Sequence, residues 1–389
     1  MVVGAGPVGL IAALGLVRRG IEVTVVERGE RPNDSPRAAA YHYPVLEVMA
    51  DVGILEDVEA AGIRIQENRL WHRPTGEVFI TDQGKLAGRV PYPYNVNLGQ
   101  GELSQIVLTH LQRHPGATMR WSADVVDVEQ DSAGAAAVLA DGERIRGDWL
   151  IGADGARSLV RKAVGLGFDG FTWDDRFVAT NIRYPFDRYG YGGANLILDP
   201  EVGCIVAQLT KDGLWRVTFA EDDALPEEEI PQRIDDFMQR FLPSEPGPDG
   251  RKDFELVAYS PYRMHQRSAE SYRVGRVLLA GDAAHVTNPT GALGLTGGLL
   301  DVDVLVPALA AVAAGTASEE VLDAYSDARR TKFLEHTSPF ASDFKRLVYG
   351  GSERDLREAF EAWKSQADTE EKEIEFLLGI GAIRSEQVV

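Results

Sequence analysis

The N-terminal stretch MVVGAGPVGLIAALGLVRRGIEVTVVE, residues 1–27, decides the fold of this chain. Two valines lead into a glycine-rich turn with the spacing G-x-G-x-x-G over residues 4–9. The apolar segment 10–19 predicts a helix, and Gly20 is a typical residue for closing a helix C-terminus. The valine-rich segment 22–27 predicts a second strand. Strand, glycine turn, helix and strand in this order indicate a βαβ unit with a parallel sheet.

The glycine turn has the properties that a pyrophosphate requires. Gly4 permits a tight turn, Gly6 lets the backbone approach a phosphate, and Gly9 allows close packing of helix on strand. The start of the helix offers N–H groups and a partial positive charge. Glu27 follows Gly9 by 18 residues, where a carboxylate can accept hydrogen bonds from a ribose diol. The segment therefore predicts dinucleotide binding, with a ligand-free glycine turn as the alternative; the motif does not distinguish NAD from FAD.

Two later blocks each combine a strand, a glycine and an aspartate. Residues 152–161 read GADGARSLVR, which places Asp154 at a strand end and two arginines on the next helix. Residues 281–285 read GDAAH and lead into the turn 289–298, PTGALGLTGG. Asp282, at the mouth of its strand, can accept hydrogen bonds from a polyol chain. The turn can present N–H groups to a ring system that gains negative charge on reduction.

Together these three blocks resemble the FAD-binding signatures of the class A flavoprotein monooxygenases, the p-hydroxybenzoate hydroxylase-type aromatic hydroxylases. The resemblance covers about residues 1–340 in the order typical of the family. It implies an α/β fold in which a Rossmann-like FAD-binding domain carries an inserted α+β substrate domain and is followed by a helical C-terminus. The FAD-binding residues that it implies are Gly4, Gly6, Pro7, Gly9, Glu27, Arg28, Arg37, Gln100, Asp154, Asp282, Gly291, Gly294, Leu295 and Thr296.

The same resemblance assigns roles within this set. Arg37 and Gln100 match positions on the phosphate or ribityl side of the flavin, and Asp154 matches an acid that serves both FAD and the nicotinamide donor. Asp282 would hold the ribityl chain, and the turn 291–296 would cradle the isoalloxazine ring. The sequence departs from the family at Ala292, where glycine is frequent, and at Thr296, where asparagine is common.

The implied activity is an FAD-dependent monooxygenase that consumes NADH or NADPH and hydroxylates a phenolic or polycyclic aromatic small molecule through a flavin C4a-hydroperoxide. Such chemistry requires water exclusion and polarisation of the phenol rather than a metal or a nucleophilic side chain. Only one dinucleotide motif has the required context, so we expect the nicotinamide to bind transiently on a basic surface.

Candidate residues for catalysis and substrate binding follow from the predicted positions near the reaction site. Four of the six have a simpler structural alternative: a surface ion pair for the arginine, packing or turn roles for the two tyrosines, and a satisfied hydrogen-bonding role for the histidine. We expect His285 to be a structural part of its motif. The candidates are Pro289, His42 and Arg216 for catalysis, and Gln208, Arg216, Tyr189 and Tyr191 for the substrate.

The predicted domains are discontinuous. Residues 1–170 and 263–340 form the FAD-binding domain, residues 171–262 the substrate domain, and residues 341–389 the C-terminal helices. The first predicted strand is short, so we expect a few native residues to precede Met1. The apolar stretch 293–314 contains two aspartates and predicts a buried helix rather than a membrane span.

The amino-acid composition limits the kinds of molecule that this protein is expected to bind. Forty basic against sixty acidic residues give a net charge of −20 over 389 residues, which disfavours nucleic acid and anionic membranes and leaves a possible homo-oligomer open. The one cysteine fits a cytoplasmic protein, and no metal site is expected.

Three alternatives remain open from the residues. A flavin-dependent epoxidase or halogenase shares the fold, although the Trp-x-Trp-x-Ile-Pro signature of halogenases is missing. A non-enzymatic nucleotide-binding regulator on a decayed flavin fold is disfavoured by the intact glycines and aspartates. A plain NAD-dependent dehydrogenase leaves the block at Gly281 and Asp282 unexplained.

Overall fold

The computed structural model describes residues 1–33, 39–349 and 351–389. Within these ranges the chain forms eleven α-helices. They are α1 (Pro7–Arg18), α2 (Tyr43–Asp51), α3 (Leu55–Ala61), α4 (Gln100–Leu111), α5 (Leu159–Ala163), α6 (Ile230–Phe241), α7 (Leu293–Ala313), α8 (Glu320–Lys332), α9 (Ser338–Tyr349), α10 (Glu353–Ser365) and α11 (Glu370–Leu378).

Twenty strands occur in the same described ranges. They are β1 (Val2–Val3), β2 (Val23–Val26), β3 (Ala40–Tyr41), β4 (Ile63–Ile65), β5 (Glu67–His72), β6 (Glu77–Asp82), β7 (Asn95–Asn97), β8 (Ala117–Arg120), β9 (Val125–Asp131), β10 (Gly134–Leu139), β11 (Arg144–Gly147), β12 (Leu150–Gly152), β13 (Phe168–Arg183), β14 (Ala194–Leu198), β15 (Cys204–Gln208), β16 (Leu214–Asp222), β17 (Glu255–Ala269), β18 (Arg273–Val274), β19 (Val277–Leu279) and β20 (His285–Val286).

The N-terminal βαβ unit forms the centre of a six-stranded sheet with the order β18-β19-β12-β1-β2-β8. The strands from β19 to β8 run parallel, and only β18 pairs antiparallel. The predicted α/β fold with a parallel sheet is therefore confirmed. Helix α1 begins at Pro7 rather than at Leu10, because proline is favoured in the first helical turn, where its missing N–H is not needed.

Helix α7 runs through the main apolar core and packs against α1, α2 and α8. By length and composition alone it could cross a membrane, but 67% of its most apolar 18-residue window is buried inside the protein. The predicted buried helix is therefore confirmed. It carries Asp301, whose side chain is fully buried.

A second sheet of eight strands has the order β20-β17-β13-β16-β15-β14-β5-β6. One face packs on α6 through an apolar cluster that includes Val217, Trp215 and Phe237. The opposite face packs on α9, where the Tyr349 hydroxyl donates a hydrogen bond to the Thr218 carbonyl at 2.9 Å. Because side chains alternate along a strand, neighbouring residues of β16 point to these two different faces.

The eight-stranded sheet draws strands from outside residues 171–262. Strands β5 and β6 come from residues 67–82, and β14 pairs with β5 in parallel. Strands β13 and β17 extend past both limits of that range. The sequence predicts the substrate domain in residues 171–262 because the character of the sequence changes there. Strand pairing, in contrast, joins segments that are distant in the chain. The domain limits stay a prediction.

Candidate functional site

The glycine turn has the form that a pyrophosphate requires. Gly4 has φ +105°, and a Cβ atom there would lie 2.4 Å from the Ala153 carbonyl oxygen. A Cβ on Gly9 would lie 2.1 Å from the Gly4 oxygen, whereas a Cβ on Gly6 would meet no atom of the described residues within 4 Å. Gly4 and Gly9 are thus required by the protein's own packing, and Gly6 is left facing open space. Helix α1, with Pro7 in its first turn, has no side-chain cap, so its first N–H groups can receive a phosphate.

Glu27 fastens this turn to β2. Its Oε2 accepts a hydrogen bond from the Ala5 N–H at 2.8 Å, and its Oε1 accepts one from the Gly29 N–H at 2.9 Å. A carboxylate oxygen can accept a second hydrogen bond, so a ribose hydroxyl can still be bound here. Arg28 is exposed beside it. Arg37 lies outside the described residues.

Asp154 caps helix α5. Its Oδ1 accepts from the Ser158 hydroxyl at 2.5 Å, and its Oδ2 accepts from the N–H groups of Leu159 and Val160 at 2.7 and 3.1 Å. The sequence suggests a cofactor contact for this acid, and the structure adds a local capping role. Gln100 begins α4, whose N-terminus also lacks a side-chain cap.

A buried charge network supports the turn that carries Asp282. The Asp301 carboxylate lies 2.7 Å from His285 Nε2 and accepts from Arg329 Nε at 2.8 Å and from the Gly281 N–H at 2.9 Å. His285 and Arg329 are each only 1% exposed, which makes His285 a structural group, as the sequence suggested. Asp282 itself is exposed at the surface of the turn.

The turn before α7 forms the second helix N-terminus of the site. Ala292 is its N-cap residue with φ 56° and ψ 29°, and no side chain caps the helix. Gly294 and Leu295 are partly exposed in the first turn. Thr296 is fully buried and donates its hydroxyl to the Ala292 carbonyl at 2.8 Å, so its side chain is used inside the helix.

His42 braces this same turn. Its Nε2 lies 2.8 Å from the Gly291 carbonyl oxygen, which can only accept, so Nε2 carries the proton of that bond. Burial lowers the pKa of His42, against hydrogen bonds to Gly291 and Asn95, so the ring is neutral at pH 7. These contacts favour a role for His42 in positioning the turn rather than in accepting a proton as a general base. The Pro289 carbonyl accepts from the Ala292 N–H at 2.9 Å, and the buried Thr290 hydroxyl has no hydrogen-bond partner among the described residues.

Arg216 lies on the face of the eight-stranded sheet opposite α6. It is 7% exposed, and its Nε donates to the Asn181 Oδ1 at 3.0 Å. Burial lowers the pKa of Arg216, while Tyr262, Tyr41 and Glu102 oppose this effect. The surface position that the structural alternative requires is wrong, because strand alternation points this side chain inward.

The structure does not bring the other predicted substrate-binding residues together with Arg216. Gln208 pairs with Trp215, whose side chain belongs to the α6 cluster, whereas Ala207 pairs with Arg216. Tyr191 stacks on Trp71 with ring centroids 4.9 Å apart. Tyr189 is 39% exposed and stacks on Tyr184 with centroids 5.8 Å apart. The sequence does not reveal strand register, which decides these faces; a substrate role for the three residues stays a prediction.

A basic surface that the spacing of residues does not reveal lies near helix α5, where Arg267 acts on Arg161. Thr172 Oγ1 lies 2.9 Å from His265 Nδ1 and accepts from Arg267 Nη2 at 3.0 Å. Burial lowers the pKa of His265, and the charges of Arg267, Arg263 and Arg157 lower it further. Phe171, 47% exposed, lies on the same strand as Thr172. The pairing of β13 with β17 brings these residues together from distant segments.

Comparisons with known proteins agree with this geometry. The family described as FAD binding domain matches residues 1–337. The chain is 46% identical to a 6-hydroxy-3-succinoylpyridine 3-monooxygenase of Pseudomonas putida over 354 residues, 90% of this chain and 88% of the relative. It is 43% identical to a para-nitrophenol 4-monooxygenase of a Pseudomonas species over 345 residues, 88% of this chain and 85% of the relative. The crystal structure of a p-nitrophenol 4-monooxygenase from Pseudomonas putida superposes with a TM-score of 0.93 at 38% identity, covering 99% of this chain and 98% of that one.

Proposed function

We propose that this chain, a member of the FAD binding domain family and an FAD-dependent aromatic monooxygenase, acts on a single-ring phenol. The new oxygen enters at the ring carbon para to the hydroxyl group. NADH or NADPH is the electron donor, and O₂ and an aromatic small molecule are the other substrates. Two relatives support the choice of ring. Both are named for a substrate with one aromatic ring. Both names put the new oxygen on the ring carbon opposite the hydroxyl group, and in both substrates that carbon already carries a substituent.

The site residues fit FAD as the cofactor. Gly6 leaves open space beside the uncapped start of α1, which suits the pyrophosphate. The uncapped start of α7 can stabilise negative charge on a ring system. When bound and reduced, FAD supplies the activated oxygen that enters the substrate ring.

The protein's own residues would hold the ring and its charge. The guanidinium of Arg216, nine-tenths buried on the site face of the sheet, favours a substrate oxygen that carries negative charge. This residue is the observation that carries the proposal, since a phenolate releases electron density to its para carbon. His42 holds Gly291 and thereby the turn on which the reacting ring system would rest. Pro289 lies at the start of that turn.

The nicotinamide donor would dock on the basic surface around His265. The positive charges of three arginines lower the pKa of this histidine. The protein as a whole has a net charge of −20, so this surface is a local region of positive potential on a negatively charged molecule. One of these arginines, Arg157, lies between Asp154 and helix α5, which supports a donor site beside the proposed FAD-binding segment. A cytoplasmic location fits the single cysteine, Cys204, which is buried.

The test is product analysis with 4-nitrophenol. Attack at the para carbon joins one atom of O₂ to that carbon, releases the substituent as nitrite and leaves para-quinone, while the second atom becomes water and one NAD(P)H is oxidised. We expect nitrite and NAD(P)⁺ in a 1:1 ratio. A product that keeps its nitro group and gains an ortho hydroxyl would overturn the para assignment. No phenol-stimulated NAD(P)H oxidation across a panel of one-ring phenols would overturn the proposed substrate class.

A further inference from the structure

Tyr41 carries a buried hydroxyl that no described atom satisfies. The residue is 0% exposed, and its hydroxyl oxygen has no hydrogen-bond partner. A buried polar group without a partner is costly, and such groups in native proteins are usually satisfied by a ligand or an ordered water. The hydroxyl of Tyr43, two residues further on, instead donates to the Leu378 carbonyl at 3.3 Å.

Strand pairing connects Tyr41 with Arg216. Tyr41 on β3 pairs with Val96 on β7, and the next residue, Asn97, donates its side-chain amide to the Gln208 carbonyl at 3.0 Å. Gln208 follows Ala207, which pairs with Arg216. The small sheet that holds Tyr41 is thus joined to the strand beside the guanidinium.

The local charges keep the Tyr41 hydroxyl protonated and available as a donor. Burial raises its pKa far above the usual value, against the opposing effect of Arg216. Glu102, the carboxylate that acts on both groups, folds back over the start of its own helix, since a Cβ on Gly99 would lie 2.1 Å from its Oε2. A neutral donor and a cation that interact electrostatically suit an oxygen that carries negative charge.

We infer that Tyr41 is a specificity-determining residue whose hydroxyl donates a hydrogen bond to the phenolate oxygen of the substrate, beside the guanidinium of Arg216. The inference rests on the proposed function, since it requires a phenolic substrate. Binding at this oxygen lowers the pKa of the bound phenol, whose proton passes to solvent. The ring then carries the electron density that para attack requires.

The experiment compares two ligands on the FAD-loaded enzyme. 4-Nitrophenol has the oxygen that Tyr41 would bind, and nitrobenzene has the same ring and nitro group without it. We expect Tyr41→Phe to weaken 4-nitrophenolate binding about tenfold or more, the range for a hydrogen bond to a charged group, and to leave nitrobenzene binding unchanged. The pKa of bound 4-nitrophenol, read from phenolate absorbance, should rise in the variant. Arg216 on β16 and Glu102 on α4 act electrostatically on the Tyr41 hydroxyl, Tyr262 on β17 acts on Arg216, and Tyr41→Phe changes none of them.

The matched control is Tyr43→Phe, which removes a hydroxyl from the same segment and should leave both ligands unaffected. Because Tyr41→Phe deletes an unpaired polar atom, its melting temperature and FAD content should equal or exceed those of the wild type. Equal affinity of wild type and Tyr41→Phe for 4-nitrophenolate, or an equal loss for both ligands, would overturn the inference alone. A loss of FAD affinity instead would assign the hydroxyl to the cofactor. A wild-type enzyme that binds no one-ring phenol would overturn the proposed function and this inference together.

Discussion

Ala292 has a backbone conformation that L-amino acids rarely adopt. Its φ of 56° lies in the left-handed region, and it forms the N-cap of α7 without a side-chain cap. That conformation costs an L-residue about 1–2 kcal/mol, whereas glycine adopts it freely. The departure from the family's frequent glycine therefore stores strain at the turn on which the flavin ring would rest.

Replacing Ala292 with glycine should stabilise the protein. The relieved strain exceeds the extra chain entropy of glycine, about 0.5–1 kcal/mol, so we expect a small rise in melting temperature, on the order of 1 °C. FAD content should stay the same, because the backbone donors are unchanged. Ala292→Val is the matched comparison and should lower the melting temperature, since a β-branched residue tolerates positive φ least. A lower melting temperature for the glycine variant would contradict strain at this position.

The network around Asp301 links elements that are distant in the chain. Arg329 of α8 binds Asp301 of α7 and also donates to the Ile383 carbonyl and the Ser385 hydroxyl near the C-terminus. Asp301 in turn accepts from the Gly281 N–H at the turn that carries Asp282. Asp301 and Arg329 together therefore connect helices α7 and α8, the C-terminal segment and the turn that carries Asp282.

This network predicts a loss of stability in acid. Burial alone would raise the pKa of Asp301, but His285 and Arg329 outweigh it and hold the pKa at about 2, below the ordinary 3.8. A lowered pKa contributes stability that is complete above about pH 4 and is lost as the pH falls towards 2. Asp301→Asn should cost about 3–5 kcal/mol at pH 7, because it leaves buried Arg329 without its charge partner.

Thermal unfolding measured from pH 7 to pH 2 would test the predicted loss of stability in acid. The difference in melting temperature between wild type and Asp301→Asn should be largest at neutral pH and should shrink between pH 4 and 2. Asp303→Asn is the control with the opposite sign, since burial raises the pKa of Asp303 and protonation there favours the folded state. A difference for Asp301→Asn that stays constant down to pH 2 would contradict the assigned titration.

The net charge of −20 on the protein opposes the binding of an anionic electron donor. Only a local basic surface can offset that field, and the surface around His265 combines three arginines with the exposed ring of Phe171. Arg267 is partly exposed, and its Nη2 donates to the Thr172 hydroxyl at 3.0 Å. This contact holds the guanidinium at the basic surface, where a phosphate would approach it.

Arg267→Gln should raise the KM for NAD(P)H about tenfold, the effect of losing one charge-assisted hydrogen bond, and should leave FAD content and kcat nearly unchanged. The wild-type KM should also rise with salt more steeply than that of the variant. Arg251→Gln is the control, because Arg251 is an exposed arginine paired with Asp235 elsewhere on the surface. An unchanged KM in Arg267→Gln would place the nicotinamide site elsewhere.

The local motifs of the chain were predictable because neighbours in sequence determine them. The turn at Gly4 and Gly9, the strand–helix–strand order and the buried character of α7 follow from residue spacing and periodicity over short stretches. The inward position of Arg216, the braced ring of His42 and the basic surface at His265 did not follow in the same way. They depend on strand pairs such as β13 with β17, which join segments about ninety residues apart.

Residue spacing over short stretches thus predicted the βαβ unit, the parallel sheet, the FAD-binding signatures and, through them, the class of enzyme. Only the folded chain shows that Gln208 and Tyr191 face α6 while Arg216 lies on the opposite face, and that no atom of the described residues pairs with the Tyr41 hydroxyl. The physical reason is the two-residue period of a strand: shifting the register by one residue sends every side chain to the opposite face. Register is set by packing between distant segments, which the sequence does not display.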